Sequence, residues 1–276
     1  MDIIVAKLIL EEGKQKTISK KNLINIYKFD CDIFINEIKI SDFMTLKDRN
    51  FITYKFRNKY TDLSFMFDSC SITSIDLSNF NTSNVTNMAF MFNNCTSLTL
   101  IDLSNCNTSK VTNMHCMFYN CSSLVSINFP DLNTSNVTNM GNMFSYCSSL
   151  YMINLSNFNT NKVKTMSAMF MKCSSLTFIN LSNFNINNVT NMCGMFEDCS
   201  SLTSIDLSSF KNNNTTDMRY MFLGCSSLTS IDLSNLNCDK IQKMNGMFQL
   251  CYKLKSQNIK YKDSKIRDQI MEDLQN

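Results

Sequence analysis

The chain has 276 residues, 44% of them hydrophobic, and a net charge of +3. That hydrophobic content excludes a disordered chain, and so small a charge gives no electrostatic footprint for nucleic acid. Five Gly and one Pro are too few to turn the many elements of an ordinary globule, so the Ser, Thr and Asn clusters must do so by bonding local backbone.

Residues 1–59 carry no repeat. The opening MDIIVAKLIL contains an apolar run, but an acid follows Met1 and Lys7 interrupts it. Without a basic leader or a small-residue cleavage site it reads as a β-strand, not as a signal peptide. On that ground a cytoplasmic location is expected. No stretch approaches the ~18 apolar residues of a membrane span. Alternation in IIVAKLIL, INIYKF, DIFINEIKI and FITYKF predicts three or four strands, making 1–59 an N-terminal β cap.

From Tyr60 a repeat begins. Met-Phe recurs at Met66-Phe67, Met91-Phe92, Met117-Phe118, Met143-Phe144, Met169-Phe170, Met195-Phe196, Met221-Phe222 and Met247-Phe248. The first step is 25 residues and every later one is 26, the short step arising where CSI at Cys70–Ile72 replaces CSSL. Eight of the 13 cysteines stand in register, from Cys70 to Cys251, with columns of Leu, Ile and Leu following them. About seven and a half units span 60–259.

Each unit alternates at period two through Leu-x-x-Ile-x-Leu, which predicts a short strand buried on one face, paired in parallel with its neighbours. Val85, Met88, Met91, Phe92 and Cys95 are spaced by threes and fours, which predicts a short α or 3-10 turn. Thr82, Ser83 and Asn84 would cap its start. No such unit can bury its own apolar face; stacking neighbours does that.

The anchor M-F-x-x-C-S-S-L-x-x-I-D-L stands intact at Met195–Leu207 and Met221–Leu233. Over about 60–259 the pattern resembles the BspA-like leucine-rich repeats in their 26-residue variant, found in bacterial surface lipoproteins and in unicellular eukaryotes. The resemblance implies a right-handed leucine-rich-repeat solenoid of the α/β class. A parallel β-sheet would line its concave face and short α or 3-10 turns its convex face. It also implies a surface location as the alternative to the cytoplasm. One departure stands out: the position that usually holds a buried Asn carries Phe80, Cys106, Leu132, Phe158, Phe184, Phe210 and Leu236. If a ladder satisfies the turn amides, the neighbouring Ser78, Asn79 and Asn81 columns must supply it.

The repeat fails after Ile259. Residues 263–275 begin with Asp-Ser and space Ile266, Ile270 and Leu274 by four, predicting an amphipathic helix and a C-terminal helical cap over 260–276.

Catalytic and metal chemistry find little support. The single histidine, His115, lies in a column shared with Ala89, Gly141, Ser167, Cys193 and Arg219, which reads as surface or semi-exposed. Cys-x₂-Cys spacing is absent, so neither a zinc site nor any other cofactor is expected. The cysteine column reads as buried free thiols acting as small apolar residues. Twelve N-x-S/T sequons follow from the abundance of those residues.

The remaining lead is the outward face of the strands. Most units carry Thr, Ser and Asp there, but the middle ones substitute Leu100, Val125, Tyr151, Met152 and Phe178, and their Asp becomes Asn128, Asn154 and Asn180. An apolar centre with acidic ends is the expected form of a protein-binding patch. A non-catalytic interaction scaffold is therefore the favoured reading, with a surface adhesin and a self-assembling structural protein as alternatives.

Overall fold

The computed structural model describes residues 2–9, 15–19, 23–24, 29–39, 43–47, 49–104, 106–127, 129, 132–211 and 214–274. It consists mostly of small sheets with few helices. Six strands precede the repeat: β1 (Asp2–Ile9), β2 (Gln15–Ser19), β3 (Cys31–Ile35), β4 (Ile38–Lys39), β5 (Phe43–Lys47) and β6 (Arg49–Phe56). The segment 32–40, expected as one strand, is a hairpin of β3 and β4, because Asn36 and Glu37 take positive φ (47° and 69°) and reverse the chain. Strands β2 and β5 pair antiparallel and were not expected from alternation. Most of the strand expected at 24–29 lies outside the described residues.

Strand β1 joins this region to the repeat. It pairs antiparallel with β6 on one side and, through Val5↔Asp76, Ala6↔Ile75 and Lys7↔Ser74, with β7 (Ser74–Asp76) on the other. Strand β7 then pairs in parallel with β8 (Leu100–Asp102). Further on, β9 (Ser126–Ile127), β10 (Met152–Asn154) and β11 (Phe178–Asn180) form a parallel three-stranded sheet. Strand β12 (Ile231–Asp232) pairs in parallel with β13 (Ile259–Lys260). In each of these the Ile is buried and its neighbours on the strand are more exposed, as period two requires.

The other side of each unit corrects the expected helical turn. Met91, Asn93 and Cys95 N–H groups each bond the carbonyl three residues back, giving overlapping turns. The alternate N–H groups leave the unit altogether: Met88, Phe90, Phe92 and Asn94 donate to the carbonyls of Asn113, His115, Met117 and Tyr119 in the next unit at 2.8–2.9 Å. Positive φ at Phe90 (59°) and Asn94 (56°) makes this alternation possible and prevents an α-helix. The same two positions are left-handed in every unit, and glycine fills only three of them, Gly194, Gly224 and Gly246. Parallel bridges run down this side from Asp62↔Asn87 to Asp217↔Lys243. The spacing by threes and fours still reports burial correctly, since Val85, Met88, Met91, Phe92 and Cys95 are all buried.

Capping also differs from expectation. The Oγ1 atoms of Thr108, Thr134 and Thr160 donate to the carbonyls of Asn133, Asn159 and Asn185 in the next unit. They join units and do not start helices. The Asn81 column instead accepts the N–H two residues on, as at Ser83 and Ser109, closing Asx turns. Contacts between units come partly from the Asn79 column, where the Asn183 and Asn235 amides donate to the Ser156 and Ser208 carbonyls. The Asn84 column adds Asn136 and Asn188, which donate to the Ser109 and Asn161 carbonyls.

Two columns dominate the core. Phe67, Phe92, Phe118, Phe144, Phe170, Phe196, Phe222 and Phe248 stack with ring centroids 5.4–5.8 Å apart and planes within 8°. Beside them the thiols of Cys95, Cys121, Cys147, Cys173, Cys199, Cys225 and Cys251 each donate to a Phe carbonyl of the preceding unit at 2.9–3.2 Å. None of the 13 cysteines is joined in a disulfide. Burial pushes the Cys95 and Cys147 thiols up to about 12, so they stay protonated and able to donate.

Phe80, Cys106, Leu132, Phe158, Phe184, Phe210 and Leu236 are buried too, so apolar packing has replaced the usual Asn ladder. After β13 comes α1 (Ser264–Leu274), with Ile266 and Ile270 buried against the last unit. Asp263 Oδ1 accepts the Lys265 N–H at 2.9 Å at its start.

The left-handed positions give a first prediction. Ala168, half-buried at φ 51°, carries a strained Cβ, worth about 1–2 kcal/mol against about 0.5–1 kcal/mol for the extra freedom of an unfolded glycine. Ala168→Gly is expected to raise the urea midpoint slightly. A lower midpoint would show that the Cβ contributes more by packing than it costs in strain.

Candidate functional site

The five apolar residues singled out in the sequence are all exposed: Leu100 63%, Val125 54%, Tyr151 52%, Met152 48% and Phe178 54%. Exposure at this level is expensive for large apolar groups, about 25 cal/mol for each Å² left in water. Met152 and Phe178 sit opposite one another in the parallel register of β10 and β11. Tyr151 N–H bonds the Val125 carbonyl at 3.0 Å, and Thr177 N–H bonds the Tyr151 carbonyl at 2.9 Å, so these positions also run side by side across units. Four of the five therefore form one continuous group. Leu100 occupies the same column as Met152 and Phe178, one unit before Ser126, which faces Met152 in the register of β9 and β10.

The acidic column has a second task that the sequence does not reveal. Oδ1 of Asp76, Asp102, Asn154, Asn180, Asp206 and Asp232 accepts the N–H of the Ser two residues on, at 2.7–3.1 Å. Five of these Asx turns close the ends of β7, β8, β10, β11 and β12. The Ser hydrogen bonds hold three carboxylates below their ordinary 3.8: Ser104, through its side chain first, at Asp102, and the backbone N–H groups of Ser208 and Ser234 at Asp206 and Asp232. Carboxylates lowered in this way stabilise the fold at neutral pH, and the contribution is lost as pH falls through their folded values below 3.8. The triple variant Asp102→Asn, Asp206→Asn, Asp232→Asn should lose less thermal stability than the native chain between pH 5 and about 3. Parallel melting curves across that range would refute the assignment.

His115 and Cys116 are in contact, with Sγ 3.4 Å from Nε2, and His115 also meets the Phe90 ring edge-on at 5.1 Å. Burial pushes the Cys116 thiol up to about 11, which keeps it protonated at neutral pH. Among the described residues, no three His, Cys, Asp or Glu side chains gather into a metal-binding group, and no helix is long and apolar enough to cross a membrane. A cleft of about 360 Å³ lies between the last unit and α1, lined by Leu250, Tyr252, Leu254, Asp273 and Leu274 among others. Sequence reasoning missed it, because it depends on where α1 docks.

No curated protein matches the chain. A leucine-rich repeat protein from Bacteroides ovatus is similar at 18% identity over 71% of this chain and 68% of that one, with a TM-score of 0.33, too low to bear on fold or function. Residues 43–151 and 176–272, more than half of the sequence, match the family described as "Mycoplasma protein of unknown function, DUF285", and the chain belongs to that family.

Proposed function

We propose that the protein is a non-catalytic interaction scaffold: a right-handed leucine-rich-repeat solenoid of the BspA-like 26-residue kind that holds a protein partner on its concave sheet. Residues 1–59 would form the N-terminal β cap and 260–276 the C-terminal helical cap, which an end-to-end stack of units requires for solubility. One observation carries the reading. Val125, Tyr151, Met152 and Phe178 are roughly half exposed on or just before adjacent strands, where most other units place Thr or Ser. Aromatic and Met side chains so grouped are the usual anchors of a partner. Leu100 would sit at the margin of the contact.

The test compares capture by the native chain and by Tyr151→Ser with Phe178→Ser, from the cell in which it is made. Loss of a defined captured protein with an unchanged melting temperature is the expected result. Identical capture by both chains would overturn the reading.

A surface adhesin is the second reading, supported by the resemblance to surface repeats. Biotinylation of intact cells separates the two, since only a surface protein would be labelled. A self-assembling structural protein would instead reveal itself in light scattering as particles larger than one chain.

A further inference from the structure

We infer that the partner segment is apolar at its centre and basic on both sides. This rests on the binding reading above and specifies the chemistry of the occupant. The argument begins with the Asx turns. Asp and Asn perform the same turn in this column, since Asp102 and Asn154 each accept a Ser N–H at 2.8 and 3.0 Å. The turn can therefore be closed by either an acid or an amide.

The distribution is nevertheless segregated. The units bearing Val125, Tyr151, Met152 and Phe178 carry Asn128, Asn154 and Asn180, and the acids Asp102 and Asp206 flank them on either side. Both acids are exposed, and neither forms a salt bridge among the described residues. Their Ser hydrogen bonds keep them ionised at neutral pH.

Desolvation explains the segregation. A carboxylate covered by a partner loses its hydration at high cost, whereas a neutral amide loses far less. At a rim that stays wet a carboxylate costs nothing and attracts opposite charge. The pattern marks the centre as the covered part and the flanks as its edge. Asp102 and Asp206 are four units apart, about 19 Å at a strand spacing of about 4.8 Å. A segment carrying Lys or Arg about that far apart, with apolar side chains between, matches the face in charge and in length.

The probes are three fluorescein-labelled 16-residue peptides tested by fluorescence polarisation. One has a Leu/Phe centre with Lys at both ends, one has the same centre with Glu at both ends, and one has Lys ends with a Ser centre. At 50 mM salt the Lys-ended apolar peptide is expected to bind at least tenfold more tightly than either twin, and the advantage over the Glu-ended peptide should shrink at 0.5 M. Asp102→Asn with Asp206→Asn retains the Asx turns, so it should stay folded with only a small drop in melting temperature while losing most of that advantage. Equal binding of Lys-ended and Glu-ended peptides overturns the inference but leaves the apolar patch intact. Equal binding of the apolar-centred and Ser-centred peptides, unaffected by Tyr151→Ser with Phe178→Ser, overturns the patch itself. Failure of all three peptides to bind overturns the inference.

Discussion

Phe144→Ala is expected to destabilise the protein by about 3–5 kcal/mol, the usual cost of emptying a buried phenylalanine site. Phe144 is fully buried in the middle of the stack, with Phe118 at 5.5 Å and Phe170 at 5.6 Å. Collapse cannot fill the space, because the neighbouring rings, with Phe129 at 6.0 Å the third of them, are held by their own units. The loss also extends beyond the ring. Its N–H bonds the Met169 carbonyl at 2.9 Å, and its carbonyl accepts the Cys173 thiol at 3.1 Å, so a displaced backbone weakens both contacts to the following unit. In a chain of nearest-neighbour units, a weak central interface lets the two halves melt separately. Chemical denaturation should show a lower midpoint and a broader transition. A single sharp transition within 1 kcal/mol of the native stability would mean that the ring stack contributes little.

The second large effect is expected at Asp273. Along the repeat the Phe N–H donates to a Met carbonyl 24 or 25 residues on, from Phe67 to Met91 through Phe222 to Met247. Phe248 has no such unit after it. Its N–H donates instead to Oδ2 of Asp273 at 2.9 Å, at the same separation of 25 residues. The side chain of α1 thus stands in for the missing backbone carbonyl. Asp273→Ala leaves a buried N–H without an acceptor, which costs about 1–3 kcal/mol. Asp273→Asn keeps an acceptor and should recover most of it. Because the site is terminal, the damage should remain local. Hydrogen exchange should accelerate in 244–274 and stay unchanged around Phe144. Equal destabilisation by Ala and Asn would show that the ionised carboxylate, and not a simple acceptor, is required.

Most of the candidate site was legible before any coordinates. Met152 and Phe178 break a Thr/Ser pattern at positions whose outward direction follows from strand alternation, Tyr151 does so just before β10, and all three are exposed. The adjacency of Met152 with Phe178 also follows, because equal spacing of units fixes the register. Leu100 is exposed as well, one unit before Ser126 in the column of Met152. The role of Asp102 and its equivalents was not legible: an Asx turn depends on the backbone folding back at the next Ser. Neither was the cleft beside α1, whose walls come from segments joined only when the helix docks.

The sequence by itself determined the period, the buried columns and the units that depart from the pattern, because burial acts on side chains and repeats wherever the environment repeats. The tertiary structure decided the backbone path between strands. Spacing by threes and fours is satisfied equally by a helix and by overlapping turns whose Phe92 N–H reaches Met117 in the next unit. That choice rests on a partner 25 residues away, which exists only once the units have stacked; side-chain periodicity records which face is dry and nothing about where the amide hydrogen goes.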